Sequence, residues 1–217
     1  MLIELLFSRG WVFNIYGISL LITYSFVFTS AFLYWISHSF LKGGWKVNSK
    51  VLAFLGMLTI LASVIFHELS HAVVAGFFGT QIDKVGLVFL GAYVTSSDTS
   101  LLVQNSWPAM LVIFAGPAGQ IFFGVVCAKI FHRLSESKLK MLMWLGALVS
   151  VRFGVLNLMP LVGFIDGGQF ILKLLKILGG ENYVNLPMVM TMISFASLLF
   201  FIKHGIPSTR IEKYLKI

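Results

Sequence analysis

His67-Glu68-Leu69-Ser70-His71 sets two imidazoles four residues apart, with a carboxylate next to the first. On an α-helix, residues four apart share one face, one turn above the other. Both rings can therefore aim a nitrogen at one cation, and the order of residues is the zinc pattern H-E-x-x-H. Zinc lowers the pKa of a bound water to about 7, and Glu68 stands where it can take that water's proton. The chemistry expected of such a set is hydrolysis. The pentapeptide sits inside an apolar run from Val51 to about Gly79, long enough to cross a bilayer. An ionisable side chain at that depth costs roughly 2.5 kcal/mol or more. A bound metal ion is the simplest offset, and one Zn²⁺ per chain is expected.

The rest of the chain must hold that site in an apolar medium. Of 217 residues, 58% are hydrophobic and 11% charged, and mean hydropathy is +0.93. A soluble domain carries about 25% charged residues. The composition therefore points to a multi-pass membrane protein, expected in the cell membrane. The net charge of +8 is spread between apolar segments. It suits anionic lipid headgroups and gives no patch for nucleic acid. The single cysteine, Cys127, excludes an intrachain disulfide. There is no internal repeat, and no removable signal peptide is expected. Residues 1–217 read as one transmembrane domain.

Hydropathy gives about five spanning segments: Trp11 to Leu41, Val51 to Gly79, Trp107 to Phe131, Leu139 to Met159 and Leu186 to Ile202. The first is longer than a bilayer needs, and its opening around Phe13–Ile18 is strand-like. Val85 to Thr95 is β-branched, aromatic and glycine-containing, which predicts a strand or hairpin. Such a segment cannot face lipid with open edges, so it must lie against protein or line a cavity. Lys173 and Lys176, set among leucines and isoleucines, predict a short amphipathic helix at the interface. The fold class expected is an all-α polytopic membrane protein of five to six helices, with a small membrane-embedded β-hairpin or sheet near the site.

A zinc site needs a third protein ligand, and a catalytic one keeps a position open. The chain has only eight acidic residues. Glu4, Glu136, Glu181 and Glu212 lie in terminal or loop sequence, and Asp83 and Asp98 flank the expected hairpin. His38, His132 and His204 sit at apparent helix ends. Asp166 differs, because it follows a helix that Pro160 can break. It either caps a new helix or reaches the metal.

His67-Glu68-Leu69-Ser70-His71 early in the chain, with Asn157-x-x-Pro160 and Asp166-Gly167 late, resembles the site-2 proteases, which are intramembrane zinc metalloproteases. Ala115-Gly116-Pro117 is similar to that family's Ala-Gly-Pro-x-x-Asn in the third helix. The resemblance implies that His67, His71 and Asp166 bind zinc, that Glu68 activates water, and that a membrane-embedded hairpin lies near the site. The chain departs from the family pattern in two places. The stretch from Pro160 to Asp166 is one residue longer, with Ile165 in place of leucine, and Gln120 stands where asparagine is usual. The chain resembles a minimal core without PDZ or nucleotide-binding domains.

The function expected is cleavage of a transmembrane protein substrate within the lipid bilayer. The strand, with Gly91 and Tyr93, would hold the unwound substrate by edge pairing. Asn157 either steadies the oxyanion and substrate backbone or is a polar packing residue. Arg152 is a cation inside an apolar segment, open to several roles. Two other classes fit less well. Membrane metalloproteases of the prenyl-protein-processing type take a glutamate from a downstream helix as third ligand, and no glutamate falls in a late apolar segment. A zinc-binding or zinc-transport protein would need polar pathway residues on several helices, and these are scarce.

Overall fold

The computed structural model describes residues 9–15, 18–41, 49–88, 91–95, 106–135, 137–160 and 165–179, with Met192 and Leu215. In chain order the elements are β1 (Gly10–Ile15), β2 (Ile18–Thr23), α1 (Ser25–Leu41), α2 (Ser49–Phe77), β3 (Lys84–Val88), β4 (Gly91–Thr95), α3 (Trp107–Arg133), α4 (Lys138–Leu158) and α5 (Asp166–Gly179). Among the described residues, three helices are long and apolar enough to cross a membrane: α2, α3 and α4. The expected last span, Leu186 to Ile202, lies outside the described residues.

α2 shows how the sequence divides its faces. Val51, Phe54, Leu58, Phe66, Leu69, Val73 and Phe77 are exposed. With exposed Ala62 between Leu58 and Phe66, their spacing in threes and fours makes an apolar outer stripe, as a lipid-facing surface requires. Leu52, Gly56, Ile60, Ser63 and His67 form the buried stripe opposite. Leu52 and Ile60 meet Leu33 of α1 and Met141, Leu145 and Val149 of α4 in one apolar cluster. A second cluster joins Cys127 and Ala128 of α3 to Ala147 of α4, so Cys127 is a packing residue.

The helix ends have local causes. Ser106 caps α3 by accepting from the Ala109 amide, with Pro108 in the first turn where no donor is needed. Ser137 caps α4 by accepting from the Lys140 amide. α4 stops at Leu158, and Pro160 cannot continue it. α5 then begins at Asp166 and carries Lys173 and Lys176, where the amphipathic helix was expected.

The sheet is larger than the expected hairpin. Its order is β1-β2-β3-β4, with β1/β2 and β3/β4 antiparallel and β2/β3 parallel. The pair β3/β4 falls in the Val85–Thr95 segment. The expected first span, Trp11 to Leu41, is corrected: its first half is the hairpin β1/β2, and only Ser25–Leu41 is helical. A hydropathy window cannot separate an apolar hairpin from the apolar helix that follows it. The hairpin depends on Gly10, where a Cβ would overlap the Ile22 carbonyl. Thr23 fastens β2 to β3 by donating from Oγ1 to the Leu87 carbonyl at 3.0 Å. β4 packs against α2, the helix that carries both histidines.

α3 and α4 approach closely through glycine. A Cβ on Gly154 would stand 2.6 Å from Ile121 Cγ1 and 3.0 Å from the Pro117 carbonyl. Gly154→Leu should therefore destabilise the protein by about 1–3 kcal/mol or more. Thermal unfolding in detergent reads this, with the exposed Phe153→Leu as a control that moves it little.

Candidate metal centre

α2 and α3 run antiparallel in a register that steps by one turn on each helix. His71 meets Val112, His67 meets Gly116, and Ser63 meets Gln120. Each pair lies four residues from the next on both helices, so three contacts stack along one seam. His71 Nδ1 donates to the Val112 carbonyl at 2.7 Å. In the neutral ring this leaves a lone pair on Nε2. At the middle of the seam there is no room for a side chain on α3. A Cβ on Gly116 would overlap His71 Nε2 and lie 2.7 Å from His67 Nε2. The glycine of Ala115-Gly116-Pro117 thus lets the α3 backbone pass directly over both imidazoles.

Asp166, at the start of α5, completes the group. Its Oδ2 is 3.0 Å from His67 Nε2 and 3.6 Å from His71 Nε2, and the two Nε2 atoms are 3.1 Å apart. Gly167 permits this approach, because a Cβ there would overlap the backbone carbonyls of Leu158 and Met159 at the end of α4. Asp166 therefore both opens a helix and reaches the histidines. Among the described residues, His67, His71 and Asp166 form the group of ligating side chains whose donor atoms all lie within 4.8 Å of one another.

The donor set fits zinc. Ligands held at about 2.0–2.1 Å by a tetrahedral Zn²⁺ stand about 3.3–3.4 Å apart. The three separations here, 3.0, 3.1 and 3.6 Å, bracket that value. Two imidazole lone pairs and a carboxylate oxygen converging at such distances also need a cation or shared protons between them. Glu68, the next residue after His67, is half-buried and within electrostatic reach of His67, His71 and Asp166.

The other expected site residues lie on elements that pack against α2. Asn157 is half-buried on the last turn of α4, three residues before Pro160. Gly91 and Tyr93 lie on β4, paired with Val88 and Gly86 respectively. His132 does not join the centre; its Nε2 hydrogen-bonds the Leu215 carbonyl at 2.6 Å. Arg152 is exposed on α4. An apolar cleft of about 220 Å³ opens beside Asp166, lined by Ile113, Phe114, Leu158, Pro160, Phe170 and Ile171. Three contributors were not visible from spacing: the Val112 carbonyl, Gly116 as the clearance over the rings, and Gly167 as the clearance under Asp166. Backbone groups leave no signature in side-chain type, although the glycines stood inside motifs already singled out.

Comparison with known proteins agrees with the geometry. Residues 55–136 match the model of peptidase family M50. That stretch holds both histidines, Glu68, the β3/β4 hairpin and Gly116, and it ends before Asp166. A protein named as a candidate zinc metalloprotease, Rip3, of Mycobacterium tuberculosis is 30% identical over 122 residues in each of two strains. The match takes in 54% of this chain and 30% of the relative's length, so the chain spans under a third of those curated relatives. The solved site-2 protease from Methanocaldococcus jannaschii superimposes with a TM-score of 0.58 at 20% identity, over 95% of this chain and 89% of that one. This last likeness speaks for the fold. Residues 55–136 are thus similar to peptidase family M50, and the chain is similar in fold to a solved site-2 protease.

Gly116→Ala should push both imidazoles off the donor triangle while leaving the helices formed. The expected result is loss of bound zinc by elemental analysis with an unchanged far-ultraviolet circular dichroism spectrum.

Proposed function

We propose that this chain is a zinc metalloendopeptidase of the site-2 protease type, one membrane domain over residues 1–217 with five to six spans. It hydrolyses peptide bonds in or near transmembrane segments of other proteins. The observation that carries the reading is the triangle of His67, His71 and Asp166 donor atoms, with both histidines and Glu68 on a helix of bilayer-spanning length. The family match over residues 55–136 supports it.

His67 Nε2, His71 Nε2 and a carboxylate oxygen of Asp166 would hold the zinc. When bound, the ion supplies Lewis acidity toward a carbonyl and makes water more acidic. Glu68 acts as the proton carrier. Its carboxylate takes a proton from the attacking water as the new C–O bond forms. It then delivers that proton to the leaving nitrogen as the C–N bond breaks. No other reactant is needed, and the products are a carboxylate and an amine.

A helical substrate hides its backbone, because its amides and carbonyls are already paired. It must unwind locally to be cut. β4 is an edge strand among the described residues and packs against α2. We assign Gly91 and Tyr93 on that strand to hold the unwound segment by backbone pairing. Asn157 is assigned to the developing oxyanion or the substrate backbone. The cleft beside Asp166 is lined by aliphatic and aromatic residues, which suits an apolar side chain flanking the scissile bond. The substrate class is therefore a transmembrane protein, the setting a lipid bilayer, and the location the cell membrane.

Purified protein in lipid nanodiscs should cut a single-span reporter peptide, with mass spectrometry locating the break. Glu68→Gln should lower the rate by about 10²–10⁴-fold, the range of general acid–base catalysis, while retaining zinc. Asp166→Ala should lose both zinc and activity. Undiminished cleavage by Glu68→Gln would remove Glu68 from the reaction. A protein that binds zinc yet cuts no reporter would instead be the non-proteolytic zinc-binding membrane protein.

A further inference from the structure

Two side-chain polar atoms among the described residues are buried and have no hydrogen-bond partner: His67 Nδ1 and Gln120 Oε1. They are complementary. If His67 Nε2 faces the metal with its lone pair, its Nδ1 must carry the proton and needs an acceptor. Gln120 Oε1 is an acceptor that needs a donor. An orphaned buried group of either kind is unfavourable.

The seam between α2 and α3 brings the two residues together. Gln120 is 2% exposed and stands one turn from Gly116, the residue that overlies His67. Ser63 is fully buried and stands one turn from His67 on α2. Gln120 Nε2 donates to Ser63 Oγ at 3.1 Å, and Ser150 Oγ of α4 donates to the same oxygen at 2.8 Å. Ser63 thus holds the Gln120 amide by its nitrogen, and Ser150 joins α4 to the same hydroxyl. The amide oxygen is left free on the next level of the seam to His67. The other histidine is already served, since His71 Nδ1 donates to the Val112 carbonyl.

Resting on the zinc reading above, we propose that Gln120 is a positioning residue for the metal. Its Oε1 accepts the Nδ1 proton of His67 through one buried water, and so fixes the ring in the tautomer that presents Nε2. Ser63 Oγ, by accepting from Nε2, holds the amide in the orientation this requires, while Ser150 only ties that level of the seam to α4. The two ligand histidines are then oriented by different means, one by a backbone carbonyl and the other by a side-chain amide.

The test is zinc affinity, measured on the full chain in detergent by competition with a fluorescent chelator, with the Co²⁺ form giving a ligand-field spectrum. Gln120→Met keeps the volume and removes the acceptor. It should weaken zinc binding by about 10–100-fold, as loss of an outer-shell partner does, and shift the Co²⁺ bands. Gln120→Glu keeps the acceptor and should restore the affinity. Ser150→Ala breaks only the α4 end of the network. It should lower thermal stability of the metal-free protein while leaving zinc affinity nearly unchanged. If Gln120→Met does not fold, Gln120→Glu still decides: folded protein with weakened zinc binding overturns the proposal. Wild-type affinity in Gln120→Met overturns it too, as does an equal loss in Ser150→Ala, which would mark the network as purely structural. Absence of zinc binding by the wild-type chain would sink the metal reading itself, and this inference with it.

Discussion

Two imidazole nitrogens and a carboxylate oxygen are gathered within 3.6 Å of one another at the level of a bilayer-length helix. The rest of the structure depends on that convergence. In an apolar medium such a cluster is costly unless a cation sits among the donors. No single helix can build it. α2 supplies two ligands at the spacing of one turn, and the third comes from a residue roughly a hundred positions later that must enter from another direction. The fold can be read as the means of closing that distance.

Small residues do most of the closing. In membrane helices, close approach depends on residues that let one backbone near another. Gly116 brings α3 over the imidazoles, Gly154 brings α4 against α3, and Gly167 seats the start of α5 on the end of α4. Gly119 does the same one turn from Gly116, where a Cβ would overlap Ser70. The polar groups admitted by this packing are few and arranged in levels along one seam. A backbone carbonyl serves His71, and a buried Ser63–Gln120–Ser150 chain lies one turn beyond His67. Among the described residues, Glu68 and Asp166 are the acids at the centre.

Much of the site was legible from residue type and spacing. The two histidines and Glu68 declared themselves because a helix repeats every 3.6 residues and because acids are rare in an apolar chain. Asp166 was reachable by elimination and by the break at Pro160, and the geometry now joins it to both rings. The β3/β4 pair was visible in the β-branched run from Val85. The hairpin β1/β2 was only half visible. Its apolar residues continue without interruption into α1, so hydropathy fused two kinds of element into one span. The parallel pairing of β2 with β3 could not be read at all, since a partner some sixty residues away leaves no local pattern. Gly116 and Gln120 were noticed as motif positions, but their physical tasks appear only when α2 and α3 are seen in register.

Which atoms bind the metal can be read by X-ray absorption at the zinc edge of the purified chain. One zinc per chain is expected in a shell of nitrogen and oxygen only, with the outer scattering of two imidazoles, and with one oxygen ligand lost or replaced in Asp166→Asn. A sulfur ligand, a different number of imidazoles, or a spectrum indifferent to Asp166 would contradict it.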